Sequence, residues 1–235
     1  MNTTTIGILV SLLFLLPSQL FAQATVKGRI IFEGVAPPPE EVEVKSDVPT
    51  CGSVKKIPKI LLGENQGVAN AVVKIIGAQG TAAPGKGTLD QVNCEFAPHV
   101  QALPAGSTLV LTSSDAVLHN SHAFYEDGST VFNIAVPIPG MEVTQQLSRP
   151  GIIRLRCDAG HTWMSAYLVV SEEPYFALTD ADGNFTIEGV PAGNYELEIW
   201  HEWLGKHREP VVVTEGEEGA ILVTLKAPQH EGGKV

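Results

Sequence analysis

Charge of either sign is scarce in this sequence, and so is cysteine. Charged residues make up 17% of the 235 residues, and the 26 acidic residues outnumber the 15 basic ones, which gives a formal net charge of −11. A phosphate-binding surface needs clustered lysine and arginine, so nucleic acid is a poor candidate partner. Three cysteines are too few for a fold built on disulfides. Because 44% of the residues are hydrophobic, the chain can nevertheless bury a substantial core.

Long hydrophobic runs are also missing. Residues 1–24 carry no charged side chain, and residues 6–16 form an apolar run. A helix of this length rises only about 16 Å, against about 30 Å of bilayer hydrocarbon. With small residues at Ala22 and Ala24, residues 1–24 are predicted to be a secretory signal peptide, a retained interfacial anchor being the alternative. The processed chain is expected in the periplasm or outside the cell, without stable membrane insertion.

Export to an oxidising compartment suggests a role for each cysteine. Cys51 and Cys94 stand in polar, loop-like contexts, so a Cys51–Cys94 disulfide is the economical assignment. Cys157 stands among histidine, tryptophan and methionine, and we expect a metal to keep it as a thiolate. The alternative for Cys157 is an ordinary buried thiol that packs in a core.

The rest of the chain is predicted to be all β. Short runs with alternating or β-branched residues recur about every ten residues, which is typical of β-sandwiches. The sequence lacks a sustained 3.6-residue apolar period, so no long helix is predicted. A flexible tail is predicted for residues 227–235. The predicted strands include residues 26–32, 71–76, 107–112, 152–156, 167–170, 185–188, 195–200, 211–214 and 220–225.

One segment combines a thiol, an imidazole and a thioether. Cys157, His161 and Met164 lie between two predicted strands, and His119 ends another strand upstream. Two imidazoles and one thiolate, with a thioether nearby, form the ligand set of a mononuclear blue-copper site. A thioether has no comparable use for zinc, which prefers four Cys or His ligands. Copper is therefore the predicted cofactor, and zinc is the weaker alternative.

These motifs resemble those of the cupredoxins. In that family one histidine comes from a mid-chain strand end, and Cys, His and Met come from the loop between the last two strands. The resemblance covers about residues 86–172 and implies a Greek-key β-sandwich. It also implies His119, Cys157 and His161 as equatorial ligands and Met164 as a weak axial ligand.

Four further residues surround this ligand set. By the resemblance, Asn120 would hydrogen-bond across the ligand loops and hold them rigid. Trp163 is interpreted as an apolar lid that keeps water from the metal, with surface exposure as the alternative. His122 and His99 are possible replacements for Met164, against the alternatives of hydrogen bonding behind the ligands or loop packing.

The spacing of Cys157 and His161 departs from many cupredoxins. A gap of three residues is similar to half of the dinuclear copper loop of cytochrome oxidase subunit II. Such a centre needs a second cysteine four residues before Cys157, where this sequence has Ile153. We therefore expect a single copper ion.

The C-terminal segment resembles a different β-sandwich. Residues 176–195, with turns at Asp182-Gly183 and at residues 191–193, look like the carboxypeptidase-regulatory, or transthyretin-like, module. Such a module usually opens with strands like those near the N-terminus. Residues 25–85 plus 173–226 are therefore predicted to form a second, smaller β-sandwich into which the copper domain, residues 86–172, is inserted. The alternative is two consecutive domains, residues 25–172 and 173–226.

A His-Glu pair ends one of the C-terminal strands. The spacing from His201 to His207 does not suit two zinc ligands on one helical face. His201 and Glu202 are interpreted either as a surface pair at a strand end or as a contact between the domain and the copper loop.

These observations predict an exported electron-transfer protein that cycles copper between Cu(II) and Cu(I). The acidic composition favours a basic redox partner such as a c-type cytochrome. Two other functions stay open: copper storage, delivery or sensing without electron transfer, and a non-catalytic adhesion or interaction protein with a structural metal. No Ser-His-Asp order, phosphate-binding loop or paired carboxylates stands out, so enzymatic turnover is not predicted.

Overall fold

The structure is a computed structural model that describes residues 23–216 and 218–228. The predicted signal peptide lies outside this range except for Gln23 and Ala24, which begin the first strand. Most of the predicted tail, residues 229–235, also lies outside it. In the part of the chain that the structure describes, no helix has the length and apolar character needed to cross a membrane.

The described residues are almost entirely β, as the sequence predicted. One α-helix of four residues, α1 (Val48–Cys51), and one 3-10 turn, Glu64–Gln66, interrupt the strands. The strands are β1 (Gln23–Glu33), β2 (Glu40–Glu43), β3 (Val54–Ile57), β4 (Val72–Ile76), β5 (Lys86–Val92), β6 (Glu95–Ala97), β7 (Val100–Pro104), β8 (Ser107–Leu111), β9 (His119–Tyr125), β10 (Thr130–Val136), β11 (Val143–Leu147), β12 (Gly151–Arg156), β13 (Ser165–Ser171), β14 (Phe176–Leu178), β15 (Asn184–Pro191), β16 (Gly193–His201), β17 (Gly205–Val213) and β18 (Glu218–Lys226).

Strands β5 to β13 build the first sandwich. A five-stranded sheet in the order β10-β9-β12-β13-β7 and a four-stranded sheet in the order β11-β8-β5-β6 enclose one apolar core. The two-residue period of a strand explains which side chains enter it. In β12, Ile153 and Leu155 are buried in this core, whereas Arg154 and Arg156 are exposed.

The second sandwich takes its strands from both sides of the first in the sequence. Its sheets have the orders β15-β1-β18 and β14-β4-β16-β17, and they enclose a separate core that includes Ile30, Ile75 and Leu197. Strand β1 pairs in parallel with β18 and antiparallel with β15. The all-β class with two sandwiches, predicted from the spacing of short apolar runs, is confirmed.

A hairpin of β2 and β3 leaves the second sandwich and covers the first. Val42, Val44 and Ile57 pack against the core of the first sandwich. Cys51, in α1 between the two strands, forms a disulfide with Cys94 in the turn between β5 and β6. The sequence analysis assigned this segment to the second sandwich, because its two strands of four residues are rich in charge and carry few apolar residues that would indicate the contact.

A third apolar cluster joins the two sandwiches. Val72 and Trp200, from β4 and β16, pack against Val100, Ile152 and Val169 of the first sandwich. The end of β16 is thereby held close to β7 and β13, which places the His-Glu pair at residues 201–202 beside the first sandwich.

Candidate metal centre

Two distant chain segments bring His119, Cys157 and His161 together. His119 begins β9, Cys157 follows β12, and His161 lies in the loop before β13. Strands β9 and β12 are antiparallel neighbours with His122 opposite Arg156, so the loop after β12 lies beside the start of β9. The two Nδ1 atoms are 2.9 Å apart, and Cys157 Sγ lies 4.0 Å from Nδ1 of His119 and 3.7 Å from Nδ1 of His161.

All three side chains are removed from solvent. His119 and His161 are 0% exposed, and Cys157 is 4% exposed. Burial lowers the pKa of His119 below its ordinary value, and the neighbouring His161 ring lowers it further, while the hydrogen bond with Asp115 opposes the shift. The environment therefore favours a neutral imidazole at His119, which is the form that binds a metal.

Carboxylates hold the far side of each imidazole. His119 Nε2 donates to Asp115 Oδ2 at 2.9 Å, and His161 Nε2 donates to Asp47 Oδ2 at 3.0 Å. A carboxylate accepts hydrogen bonds only, so each pair places the ring proton on Nε2. Both Nδ1 atoms then carry lone pairs that point inward, toward each other and toward the sulfur of Cys157.

This donor set fits a soft metal ion. Two nitrogen lone pairs at 2.9 Å repel each other unless a cation lies between them. The triangle of 2.9, 3.7 and 4.0 Å also suits one ion with bonds of about 2.0 Å to nitrogen and about 2.3 Å to sulfur. A carboxylate behind each imidazole is the usual arrangement around metal-binding histidines.

Met164 and Trp163 lie in the loop that follows His161. The amide of Met164 donates to His161 O at 3.0 Å, and the Met164 side chain is 2% exposed within the same buried cluster as Cys157. The indole of Trp163 is 7% exposed, donates to Cys94 O at 2.8 Å and has its ring centroid 5.2 Å from that of His161. Trp163 thus covers one side of the histidine ring instead of facing solvent.

Asn120 connects the two segments that carry the candidate ligands. Its Oδ1 accepts a hydrogen bond from the amide of Asp158, the residue after Cys157. Its Nδ2 donates to Asn133 Oδ1 in the neighbouring strand β10 at 2.6 Å. Asn120 therefore ties the start of β9 to the Cys157 loop, the place that the resemblance implied for it.

The structure does not bring His122 and His99 to this centre. His122 points to the opposite face of β9 from His119, and its Nδ1 lies 2.6 Å from Asp158 Oδ2. His99 pairs with Glu202 of the second sandwich at 2.5 Å. Neither is placed to replace Met164, because strand alternation turns His122 outward and Glu202 holds His99.

Sequence reasoning missed the two supporting carboxylates. Asp115 stands only four residues before His119, and this spacing was a weak signal that the two side chains are in contact. Asp115 also accepts hydrogen bonds from the amides of Asn93 and Cys94. Asp47 is 114 residues from its partner His161. No local pattern joins them, and only the folded hairpin shows the contact.

The disulfide lies directly beside the candidate centre. The sulfur atoms of Cys51 and Cys94 and a ring nitrogen of His161 all lie within 4.8 Å of one another. The crosslink therefore fixes the loop that carries Asp47 next to the ring that Asp47 contacts.

Part of the chain matches a known protein family. The family described as polysaccharide lyase family 4, domain II, matches residues 158–221, which run from the Cys157 loop to β18 of the second sandwich. The carboxypeptidase-regulatory module expected there is not the family that matches. Alternating strands with tight turns occur in many unrelated small sandwiches, so the quoted residues did not distinguish between them. No curated protein matches the chain.

Several solved structures resemble part of the chain. A purple cupredoxin from Nitrosopumilus maritimus is 20% identical, with 36% of this chain and 99% of that chain covered and a TM-score of 0.32. A pseudoazurin from Sinorhizobium meliltoi is 24% identical, with coverages of 38% and 76% and a TM-score of 0.31. A copper-containing nitrite reductase from Thermus scotoductus SA-01 is 21% identical, with coverages of 41% and 24% and a TM-score of 0.32.

Proposed function

We propose that this protein binds one copper ion through His119, Cys157 and His161 and carries electrons. The observation that supports this most directly is the convergence of two inward-pointing Nδ1 atoms and one thiol sulfur at a buried point. Thiolate with imidazole favours copper over harder cations. When bound, copper would supply a one-electron couple between Cu(II) and Cu(I).

The protein's contribution is to hold these ligands in one arrangement. Asp115 and Asp47 fix the ring protons on Nε2 and orient the two imidazoles. Asn120 fastens the Cys157 loop to β9, and Trp163 covers His161. A site that is rigid in the absence of the ion does not need to rearrange when the charge of the ion changes.

Met164 is proposed as the weak axial ligand. It is buried in the same cluster as Cys157, and it closes the turn that His161 begins. A thioether in that position tunes the reduction potential of a His2Cys copper site. We assign no metal-binding role to His99 or His122, because both are held by carboxylates elsewhere.

The partner and the compartment are proposed from charge and from the disulfide. A net charge of −11 favours a basic redox partner such as a c-type cytochrome. The Cys51–Cys94 disulfide suits the periplasm or the extracellular space. If the acidic protein attracts a basic cytochrome, the rate of electron exchange between the two should fall as ionic strength rises. A rate that is independent of salt contradicts the proposed charge pairing.

Copper titration of the purified protein tests the ligand set. Wild-type protein should take up one equivalent of Cu(II) and develop an intense visible band from thiolate to copper, which Cys157→Ser abolishes. His161→Gln should weaken binding strongly, whereas His207→Gln is the matched control, since His207 lies on the exposed part of β17. Uptake that is unchanged in both Cys157→Ser and His161→Gln contradicts the site.

A further inference from the structure

A cavity lies between the two sandwiches, lined on one side by Trp163 and Met164 and on the other by His201 and Glu202. Its volume is about 260 Å³. Apolar atoms contribute more of its surface than polar atoms do, and the apolar side chains in its wall include Ile57, Ile60, Phe96 and Trp163. A cavity of about 150 Å³ lined by apolar side chains is already large enough for benzene. The space therefore suits a single aromatic ring with a substituent.

His201 presents a fixed hydrogen-bond donor to this cavity. Its Nδ1 accepts hydrogen bonds from the amides of Trp203 at 3.1 Å and Leu204 at 3.4 Å, which puts the ring proton on Nε2. His201 is only 2% exposed and lines the cavity, and no residue within 23–216 and 218–228 forms a hydrogen bond with Nε2. Burial lowers the pKa of His201 to about 4, so the ring is neutral near pH 7.

Glu202 presents an acceptor next to this donor. Its Oε1 accepts a hydrogen bond from His99 Nε2 at 2.5 Å, and both residues line the cavity. Burial alone would lower the pKa of His99, but the hydrogen bond and the charge of Glu202 raise it above its ordinary value. His99 Nδ1 also lies 3.0 Å from Ser165 O, so both ring nitrogens face acceptors and each carries a proton. On this geometry His99 and Glu202 form a pair without net charge, in which the carboxylate keeps further lone pairs for a ligand.

The other charged groups at the cavity are also paired. Lys55 binds Glu95 at 2.9 Å, and Lys56 binds Glu41 at 3.0 Å. No unpaired charge is thus available, within the described part of the chain, to offset the desolvation of an ionic ligand. A neutral ligand is favoured, and it needs one group that accepts from His201 and donates to Glu202.

We propose that this cavity binds a small neutral phenol. Its hydroxyl group accepts a hydrogen bond from His201 Nε2 and donates one to Glu202, and its ring packs against Phe96, Trp163 and the thioether of Met164. Ring–ring and sulfur–ring contacts favour an aromatic body over an aliphatic one. The proposal does not depend on copper, because none of the three polar groups belongs to the candidate metal centre.

Fluorine NMR titration of the full chain, without added metal, tests the proposal. The probes are 4-fluorophenol, 4-fluorotoluene, which has the same shape without the hydroxyl group, and 4-fluorobenzoate, which carries a charge. We expect saturable binding of 4-fluorophenol with a Kd of about 1 mM or tighter, and binding of both other probes at least about tenfold weaker. Binding of all three with equal affinity, tighter binding of the benzoate, or no saturable binding of the phenol overturns the proposal.

Two kinds of variant locate the binding. His201→Asn keeps an acceptor for the amides of Trp203 and Leu204, but its shorter side chain no longer carries an N–H group to the position of Nε2. Affinity for 4-fluorophenol should therefore fall about tenfold. Leu61→Trp places a large ring at the rim of the cavity and should abolish binding, whereas Leu222→Trp makes the same change at a 65% exposed position of the second sandwich and should leave binding unchanged. Equal affinity in Leu61→Trp and Leu222→Trp overturns the assignment to this cavity.

Discussion

Asp47 Oδ2 lies 3.0 Å from Nε2 of His161, although 114 residues separate the two in the sequence. Asp47 precedes α1 in a left-handed conformation, with φ 55°, and it is positioned by the hairpin of β2 and β3. The hairpin is fastened to the first sandwich by the Cys51–Cys94 disulfide. A candidate ligand is thus oriented by a segment that does not belong to either ligand-bearing strand.

Replacement of Asp47 tests this orientation. Asp47→Asn keeps the backbone, because asparagine tolerates the left-handed region as aspartate does, but it removes the charge that makes His161 a better ligand. We expect the affinity for copper to fall about 10- to 100-fold, measured by competition with a chelator. Asp127→Asn, at an exposed turn of the first sandwich, is the matched control and should bind like wild type. Equal affinities in the two variants would show that Asp47 has no effect on the centre.

Removal of the disulfide should destabilise the whole protein. The crosslink closes a loop with a sequence separation of 43, and the chain-entropy relation gives about 4 kcal/mol for a loop of that length. We expect Cys51→Ser/Cys94→Ser to lower the free energy of unfolding in urea by roughly this amount. The control is Cys157→Ser, which keeps the crosslink. Measured at pH 7 without metal, its free energy of unfolding should fall much less than that of the double variant. A loss in the double variant no larger than in Cys157→Ser contradicts this role.

His201 should make stability depend on pH. Its pKa is about 4 in the folded protein against 6.5 for the ordinary group, so the unfolded chain binds a proton first as pH falls. Stability from this residue is complete above pH 6.5 and is lost progressively toward pH 4, to a total of about 3 kcal/mol. His99, with its raised pKa, acts in the opposite direction and at higher pH: its contribution to stability is complete below pH 6.5 and is lost as pH rises through the pKa of the folded protein.

The matched variant for this effect is His201→Asn, which does not titrate. The free energy of unfolding in urea is measured for both proteins at pH 6.5 and at pH 4. It should fall more in wild type than in His201→Asn over this range. The same pH dependence in both proteins contradicts the assignment of a neutral, buried imidazole at residue 201.

Met164 should tune the copper ion without being required for its binding. Met164→Leu nearly conserves volume, so we expect a stability cost below about 1.5 kcal/mol and copper uptake close to that of wild type. Loss of the thioether should raise the reduction potential and alter the visible spectrum, because a weak donor to Cu(II) is removed. Met141→Leu, at a 39% exposed residue, is the control. Identical potentials in the two variants would rule out an axial role.

The all-β fold and the meeting of His119, Cys157 and His161 were accessible from the sequence for local reasons. The alternation of buried and exposed side chains in a strand such as β12 can be recognised in consecutive residues. Histidine and cysteine can be recognised as candidate metal ligands by residue type alone, even when they are far apart in the sequence. Asp47 was not accessible, because its contact with His161 depends on how the hairpin folds over the first sandwich. The pairing of His99 with Glu202 likewise depends on the packing of one sandwich against the other, which no sequence period encodes.

X-ray absorption at the copper edge of the loaded wild-type protein tests the central claim most directly. Two imidazoles and one thiolate predict a first shell with nitrogen at about 2.0 Å and a single sulfur near 2.2–2.3 Å, distances of the size found for such ligands around a similar ion. A first shell that contains only nitrogen and oxygen would contradict the proposed role of Cys157 and, with it, the copper centre described above.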